Sequence, residues 1–300
     1  MSIISKKFKD DDLMTTASIT LSDTVTYYDS EEALPLIIIT SPLCKAVISL
    51  YGGQVLEFQA TNKQPLLWLS ENAVFKTGVA IRGGIPICAP WFGSHPSHKL
   101  NHGFARTSLW QQQSINHQNN GGVEITLALQ ENELSRTHGF QQFTMKLIIS
   151  LGKELAINFS IENHGNMPLV CEWAMHSYFY VNNIENTTIS GLERHTFLDK
   201  TDQNNAYQLE GIQHFNGEVD SAFIDASHRQ TVDCDNSTIC VIADNSPSAI
   251  VWNPGETLAA KMNDISDHQH FVCLERGAIN TNAWYVSPNQ AVTAHVVMSN

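Results

Sequence analysis

The chain reads as all-β, a large antiparallel β-sandwich with few short helices. Three observations lead there. Short runs rich in Val, Ile, Phe and Thr recur along the 300 residues, clusters of turn formers separate them at regular spacing, and helical periodicity is scarce. Taken in order, Ala46 to Leu50 is a strand closed by the turn Gly52-Gly53, and Gln54 to Phe58 returns from it. Val123 to Leu129 follows the turn Asn119-Asn120-Gly121-Gly122, and Thr144 to Ser150 and Ala156 to Glu162 are two further runs, the second ending at Asn163-His164-Gly165-Asn166. Thr238 to Ala243, Ala249 to Trp252 and Ala291 to Met298 complete the set, with Asn253-Pro254-Gly255 ending the second of these. Thr257 to Met262 has room for a turn or two of helix. No Pro/Ser linker, low-complexity tract or repeat divides residues 1–300, so the expectation is one domain. Its first 20 or so residues should be loosely held, because Lys6 to Asp12 is polar and aperiodic.

Composition narrows the function. With 42% apolar residues the chain can bury a large core, and 17 Lys+Arg against 30 Asp+Glu leaves a net charge of -13. That balance argues against nucleic acid or an anionic membrane surface as a partner. The longest apolar run, Leu34 to Ile39, contains a proline and is strand-sized, so no membrane span is expected. No apolar signal core follows Lys6-Lys7. The six cysteines form no C-x-x-C pair, and four lie in apolar strand-like runs, as reduced core thiols do in a cytoplasm. Cytoplasmic location is therefore expected. So is a monomer, since no apolar surface stripe stands out.

Two segments carry most of the chemistry: Ala80-Ile81-Arg82-Gly83-Gly84-Ile85-Pro86, running on to Pro90-Trp91-Phe92-Gly93, and His102-Gly103-Phe104-Ala105-Arg106. In an acidic chain, arginines set beside glycines suggest a small anionic ligand. Glycine admits close backbone approach, and the guanidinium fork matches phosphate or carboxylate. Arg82 and Arg106 are the expected clamp; the alternative is two structural ion bridges.

These segments are followed, in order, by Glu172-Trp173-Ala174-Met175-His176-Ser177-Tyr178-Phe179, Gly217-Glu218-Val219-Asp220, Val251-Trp252-Asn253-Pro254-Gly255 and Phe271-Val272-Cys273-Leu274-Glu275. Together they resemble the hexose-6-phosphate mutarotase branch of the aldose 1-epimerase superfamily, from roughly residue 35 to the C-terminus. The resemblance implies a galactose-mutarotase type of sandwich with the sugar on a concave sheet. It also implies exchange of the α and β anomers of a hexose 6-phosphate, without a cofactor. The alternatives are an epimerase of unphosphorylated aldoses and a sugar-phosphate-binding module without catalysis.

Anomer exchange opens the sugar ring and closes it on the other carbonyl face. One group takes the proton of the anomeric hydroxyl while another protonates the ring oxygen. By period-two alternation Glu275 shares a face with Phe271 and Cys273, where desolvation would raise its pKa. The resemblance makes it the catalytic base. His176 alternates onto a face with Glu172, Ala174 and Tyr178, and the resemblance makes it the acid. At His102 the family contacts the sugar ring, and Asp220 matches its acidic sugar-binding position; nearby Asp225 competes for that role. Trp91, Phe92 and Trp252 are either walls of the site or core. Where the family commonly has proline or alanine after the glutamate, this chain has Arg276, whose side chain should alternate away from Glu275. His95, His98 and His102, spaced like metal ligands on a helix, lie in a Gly/Pro loop with no acidic residue, so no metal is expected.

Overall fold

The computed structural model of the protein describes residues 17–22, 24–29, 34–235 and 237–300. Among these the elements are antiparallel strands with two short α-helices. Of the first 20 residues, 1–16 lie outside the described set, and Ala17–Ser22 is a strand.

Two large sheets face one another. One has nine strands: Gln213–His214, Thr187–Ser190, Arg229–Cys234, Ser237–Asp244, Ala291–Ser299, Leu155–Asn163, Phe143–Leu151, Val123–Gln130 and Gln111–His117 in spatial order. The other has eight. Its path runs Asn205–Gln208, Thr196–Asp199, Val219–Phe223, Ser248–Asn253, Phe271–Ala278, Trp173–Met175 and Ile87–Cys88, and Tyr178–Tyr180 also pairs with Phe271–Ala278. A five-stranded meander, Ala17–Ser22 to Gln54–Ala60, and a two-stranded ribbon of Leu169–Cys171 with Trp284–Val286 complete the architecture.

One apolar cluster joins the two large sheets. It takes Ile125, Leu147, Ile157, Val241 and Val296 from one, and Trp173, Met175, Val251, Val272 and Leu274 from the other. The central strand Phe271–Ala278 is buried on both faces. Burying a Val or Leu is worth about 1.5–3 kcal/mol. A one-residue slip would turn Val272 and Leu274 out of the sandwich, so the register is strongly held. That same alternation sends Phe271, Cys273 and Glu275 to the opposite face, where Phe271 and Cys273 pack with Trp68, Tyr178, Trp252 and Ile265.

The expected strands appear with ends shifted by a residue or two, and the helical turn expected at Thr257 to Met262 falls at Gly255–Ala259. Sequence periodicity does not disclose Gln111–His117, which pairs with Val123–Gln130 despite a polar run of glutamines. It also misses the helix Glu133–Thr137, nucleated by a reciprocal cap between Asn132 and Ser135.

Candidate functional site

Strand register builds the site. Met175 lies opposite Arg276 and Tyr178 opposite Cys273, so the pairing resumes in one register across the break at residues 176–177 and sets His176 opposite Glu275. Within the break the His176 N–H donates to Pro86 O at 2.9 Å and the Ser177 N–H to Met175 O at 2.8 Å. Glu275 in turn faces Ile250, while Asp220 faces Trp252 and Trp252 faces Cys273. Two adjacent rows on one sheet face therefore hold Ile250, Glu275 and His176, then Asp220, Trp252, Cys273 and Tyr178. Small residues next to them, Ala174, Ala222 and Gly277, leave the floor low around Glu275.

His176 Nε2 lies 3.3 Å from Glu275 Oε1, with side chains only 9% and 2% exposed. His176 Nδ1 and Glu275 Oε2 are both buried without a hydrogen-bond partner. A buried polar atom left unpaired costs about 1–3 kcal/mol, a cost that a ligand's own donors and acceptors would remove here. Burial pushes the Glu275 carboxyl well above the usual carboxylate range; Asp220 adds to this, while Lys200 and Arg106 oppose it. Burial likewise holds His176 well below the usual imidazole range, helped by His102 and by the Arg82, Arg106 and Lys200 cations. Burial thus disfavours charge on either member, and the two titrate as a coupled pair rather than as independent groups.

His102 closes one side. Its ring meets that of His176 edge to face at 5.8 Å and that of Phe92 at 4.8 Å. Nδ1 accepts from the Gly93 N–H at 3.3 Å, which puts the proton of the neutral ring on Nε2. Burial holds its pKa well down, with Arg106, Lys200 and Arg82 acting in the same sense. Phe92 and the loop it sits on are fixed by Glu172, whose carboxylate accepts from the Phe92 N–H at 3.0 Å and the Asn280 N–H at 2.6 Å.

The cations differ in how free they are. Arg82 donates through Nε and Nη2 to Asp264 Oδ2, both at 2.9 Å, and through Nη1 to the Tyr178 hydroxyl at 2.7 Å. Burial alone would lower its pKa, but Tyr178 and Asp264 more than offset that. Arg106 donates to Asn101 O at 2.9 Å and makes no ion pair with any described residue. Lys200, just beyond the strand Thr196–Asp199, lies 3.3 Å from Asp220 Oδ1 and 4.6 Å from the centre of the Phe92 ring. Neither Lys200 nor Asp264 stands out in the sequence: each reads as one more charge in a polar turn. Tyr178, by contrast, is flagged by its alternation with His176.

Some expected residues go elsewhere. Asp225 is exposed beyond the end of Val219–Phe223. Trp91 joins the sandwich core, whereas Phe92 and Trp252 line the site face. The glycines beside Arg82 serve backbone packing rather than ligand approach. A Cβ on Gly83 would meet Leu69 Cα at 2.6 Å, and one on Gly84 would meet Val55 O at 2.3 Å. His95 and His98 stack on each other at 4.3 Å, and His98 Nδ1 is 3.0 Å from His138 Nδ1, while His102 turns to His176 instead. Arg276 does point away from Glu275. Its guanidinium is buried between the sheets, donating to the Ser227 and Ser246 carbonyls and to Gln230 Oε1. With no counter-ion among the described residues, burial pulls it down to about 10, still protonated at neutral pH.

The aldose 1-epimerase family profile matches residues 35–299. The chain belongs to the aldose 1-epimerase family. A protein of Salmonella typhimurium provisionally named glucose-6-phosphate 1-epimerase is 37% identical, over 81% of this chain and 82% of its own length. One from Escherichia coli with the same provisional name is 33% identical, over 89% and 90%. Among solved structures, a provisionally named mutarotase from Salmonella typhimurium superposes with a TM-score of 0.89 at 30% identity, covering 99% of each chain. A galactose mutarotase-like protein of Clostridium acetobutylicum, at 15% identity, shares the fold with a TM-score of 0.68 over 88% of this chain and 94% of its own. Family membership makes the chain an epimerase that exchanges sugar anomers, on the galactose-mutarotase fold.

Proposed function

We propose that the substrate is a hexose 6-phosphate, glucose 6-phosphate before others, with Glu275 as base and His176 as acid. The observation that carries this reading is the buried pair itself, each member keeping one polar atom unpartnered on the same sheet face. Glu275 takes the proton of the anomeric hydroxyl while the imidazolium of His176 gives one to the ring oxygen, and the C1–O5 bond breaks. The open chain turns about C1–C2, the hydroxyl now on C5 attacks the other aldehyde face, and both protons return. No net proton or electron is exchanged with solvent. Each group is worth about 10²–10⁴ in rate.

Asp220 accepts hydrogen bonds from sugar hydroxyls, and His102, a donor at Nε2, steadies charge on the ring. Arg82 and Arg106 hold the phosphate, and the lack of any carboxylate on Arg106 among the described residues supports an anion there. The pairing of Arg82 with Asp264 favours a second reading, an unphosphorylated aldose, because it removes part of the positive charge a phosphate needs. The names of the curated relatives support the first. The core shared by both large sheets supports one domain, and the cysteines, all free, support a reducing cytoplasm.

The test is the relaxation of freshly dissolved α-glucose 6-phosphate to anomeric equilibrium, followed by polarimetry or NMR beside α-glucose. Acceleration confined to the phosphate is the expected result. Acceleration of glucose as well would select the second reading. Saturable binding without acceleration of either would leave only a binding module.

A further inference from the structure

We propose that Lys200 contacts substrate in this site and, with Arg106, receives the phosphate. This inference rests on the reading just given and adds a cation that no sequence motif marks. Arg82 has already committed most of its donors. Three of its N–H groups go to Asp264 and Tyr178, and the Asp264 carboxylate offsets part of its charge before any ligand arrives. A phosphate monoester carries about 1.5–2 negative charges at pH 7, more than Arg106 alone can balance.

Lys200 is placed to supply the remainder. Its side chain is 29% exposed and that of Asp220 27%, so the pair opens to solvent where a sugar would enter. Its ammonium has three donors, and a single contact at 3.3 Å to Asp220 uses one. The Phe92 ring beneath it, at 4.6 Å, attracts the cation without consuming a donor. Phe92 packs on His102 and His102 on His176, so aromatic contacts run unbroken from the Lys200 ammonium to the acid–base pair. Lys200 and Arg106 both act electrostatically on His102, His176 and Glu275, in keeping with a shared anionic ligand. When Asp220 turns its oxygens to the sugar hydroxyls, Lys200 exchanges a loose ion pair for a doubly charged acceptor.

The experiment is calorimetric titration of the full-length protein and of its Lys200→Met and Lys200→Arg variants with glucose 6-phosphate and with glucose. Arg82→Ala runs alongside. The expected result is that Lys200→Met raises the Kd for glucose 6-phosphate about tenfold and that for glucose less than threefold, while Lys200→Arg recovers most of the loss. The loss should exceed that from Arg82→Ala and shrink as salt is raised. An unchanged Kd in Lys200→Met overturns the proposal. So does equal weakening toward both sugars, which would mean that Lys200 acts on the ring through Asp220. A wild-type protein that binds glucose 6-phosphate without speeding its anomerisation would sink the catalytic reading but leave these Kd comparisons to judge Lys200.

Discussion

Gly103 sits between His102 and the turn that carries Arg106, at φ +69°, and its substitution by alanine tests how that segment is held. A Cβ there would lie 1.9 Å from Ala89 O, 2.2 Å from Ala89 C and 2.7 Å from Pro90 N, all backbone atoms that cannot swing aside. Relief at Ala89 O demands a shift of more than 1 Å. That shift breaks the Ala105 N–H to Ala89 O hydrogen bond of 3.0 Å, worth about 0.5–1.5 kcal/mol net. The left-handed backbone adds about 1–2 kcal/mol for a residue with a Cβ, and forced displacement in a packed interior about 1–3 more. Together these predict a loss of about 2.5–6.5 kcal/mol. Gly93→Ala is the control, because Gly93 has φ +72° but nothing within 4 Å of a Cβ, so only the backbone cost of about 1–2 kcal/mol applies. Urea unfolding followed by tryptophan fluorescence measures both. Losses within 1 kcal/mol of each other would refute the idea that the Ala89 contact, rather than the dihedral, dictates glycine.

Glu275→Gln and His176→Asn are each expected to lower kcat by about 10²–10⁴ while circular dichroism and the unfolding midpoint stay near wild type; a variant with near-normal turnover loses its assigned role. Because a raised carboxyl and a lowered imidazole titrate as a coupled pair, kcat/KM should be bell-shaped in pH with limbs belonging to the pair, and Glu275→Gln should abolish one limb. His102 is held below its unfolded pKa of about 6.5, so the unfolded chain binds the extra proton first. Its contribution is therefore full above pH 6.5 and lost as pH falls toward the folded value, by at most about 1.4 kcal/mol per pH unit. Urea midpoints at pH 7.5 and 5.5 should converge in His102→Asn, whose short side chain tolerates the left-handed backbone; an unchanged slope argues against the buried neutral ring. Glu172→Gln replaces one of two acceptor oxygens by a donor facing a backbone N–H, at a cost of about 1–3 kcal/mol read from the same unfolding curves. A loss below 0.5 kcal/mol would mean that Glu172 does not anchor the Phe92 loop.

Much of this protein follows from short-range pattern, because alternation along a strand needs no knowledge of what the strand packs on. Phe271-Val272-Cys273-Leu274 states by itself that Val272 and Leu274 share one face and that Glu275 takes the other with Cys273. It likewise sends Arg276 to the far side, and the two sheets confirm both. The turn clusters place the strand ends for the same local reason. What lies beyond the sequence is every relation made by register between distant strands. His176 meets Glu275 because Tyr178 and Met175 pair with Cys273 and Arg276 in one register, and no spacing along the chain reveals that. Asp264 reaches Arg82 across 182 residues and changes that arginine from a free clamp into a half-neutralised one. The glycines beside Arg82 look like ligand-binding glycines until Leu69 and Val55 are seen against them. Lys200 gains its meaning only from Asp220 on the neighbouring strand and from the ring of Phe92 below it. Side-chain direction is a property of one strand, whereas a charge's availability depends on every group that the packed sheets bring within a few ångströms of it.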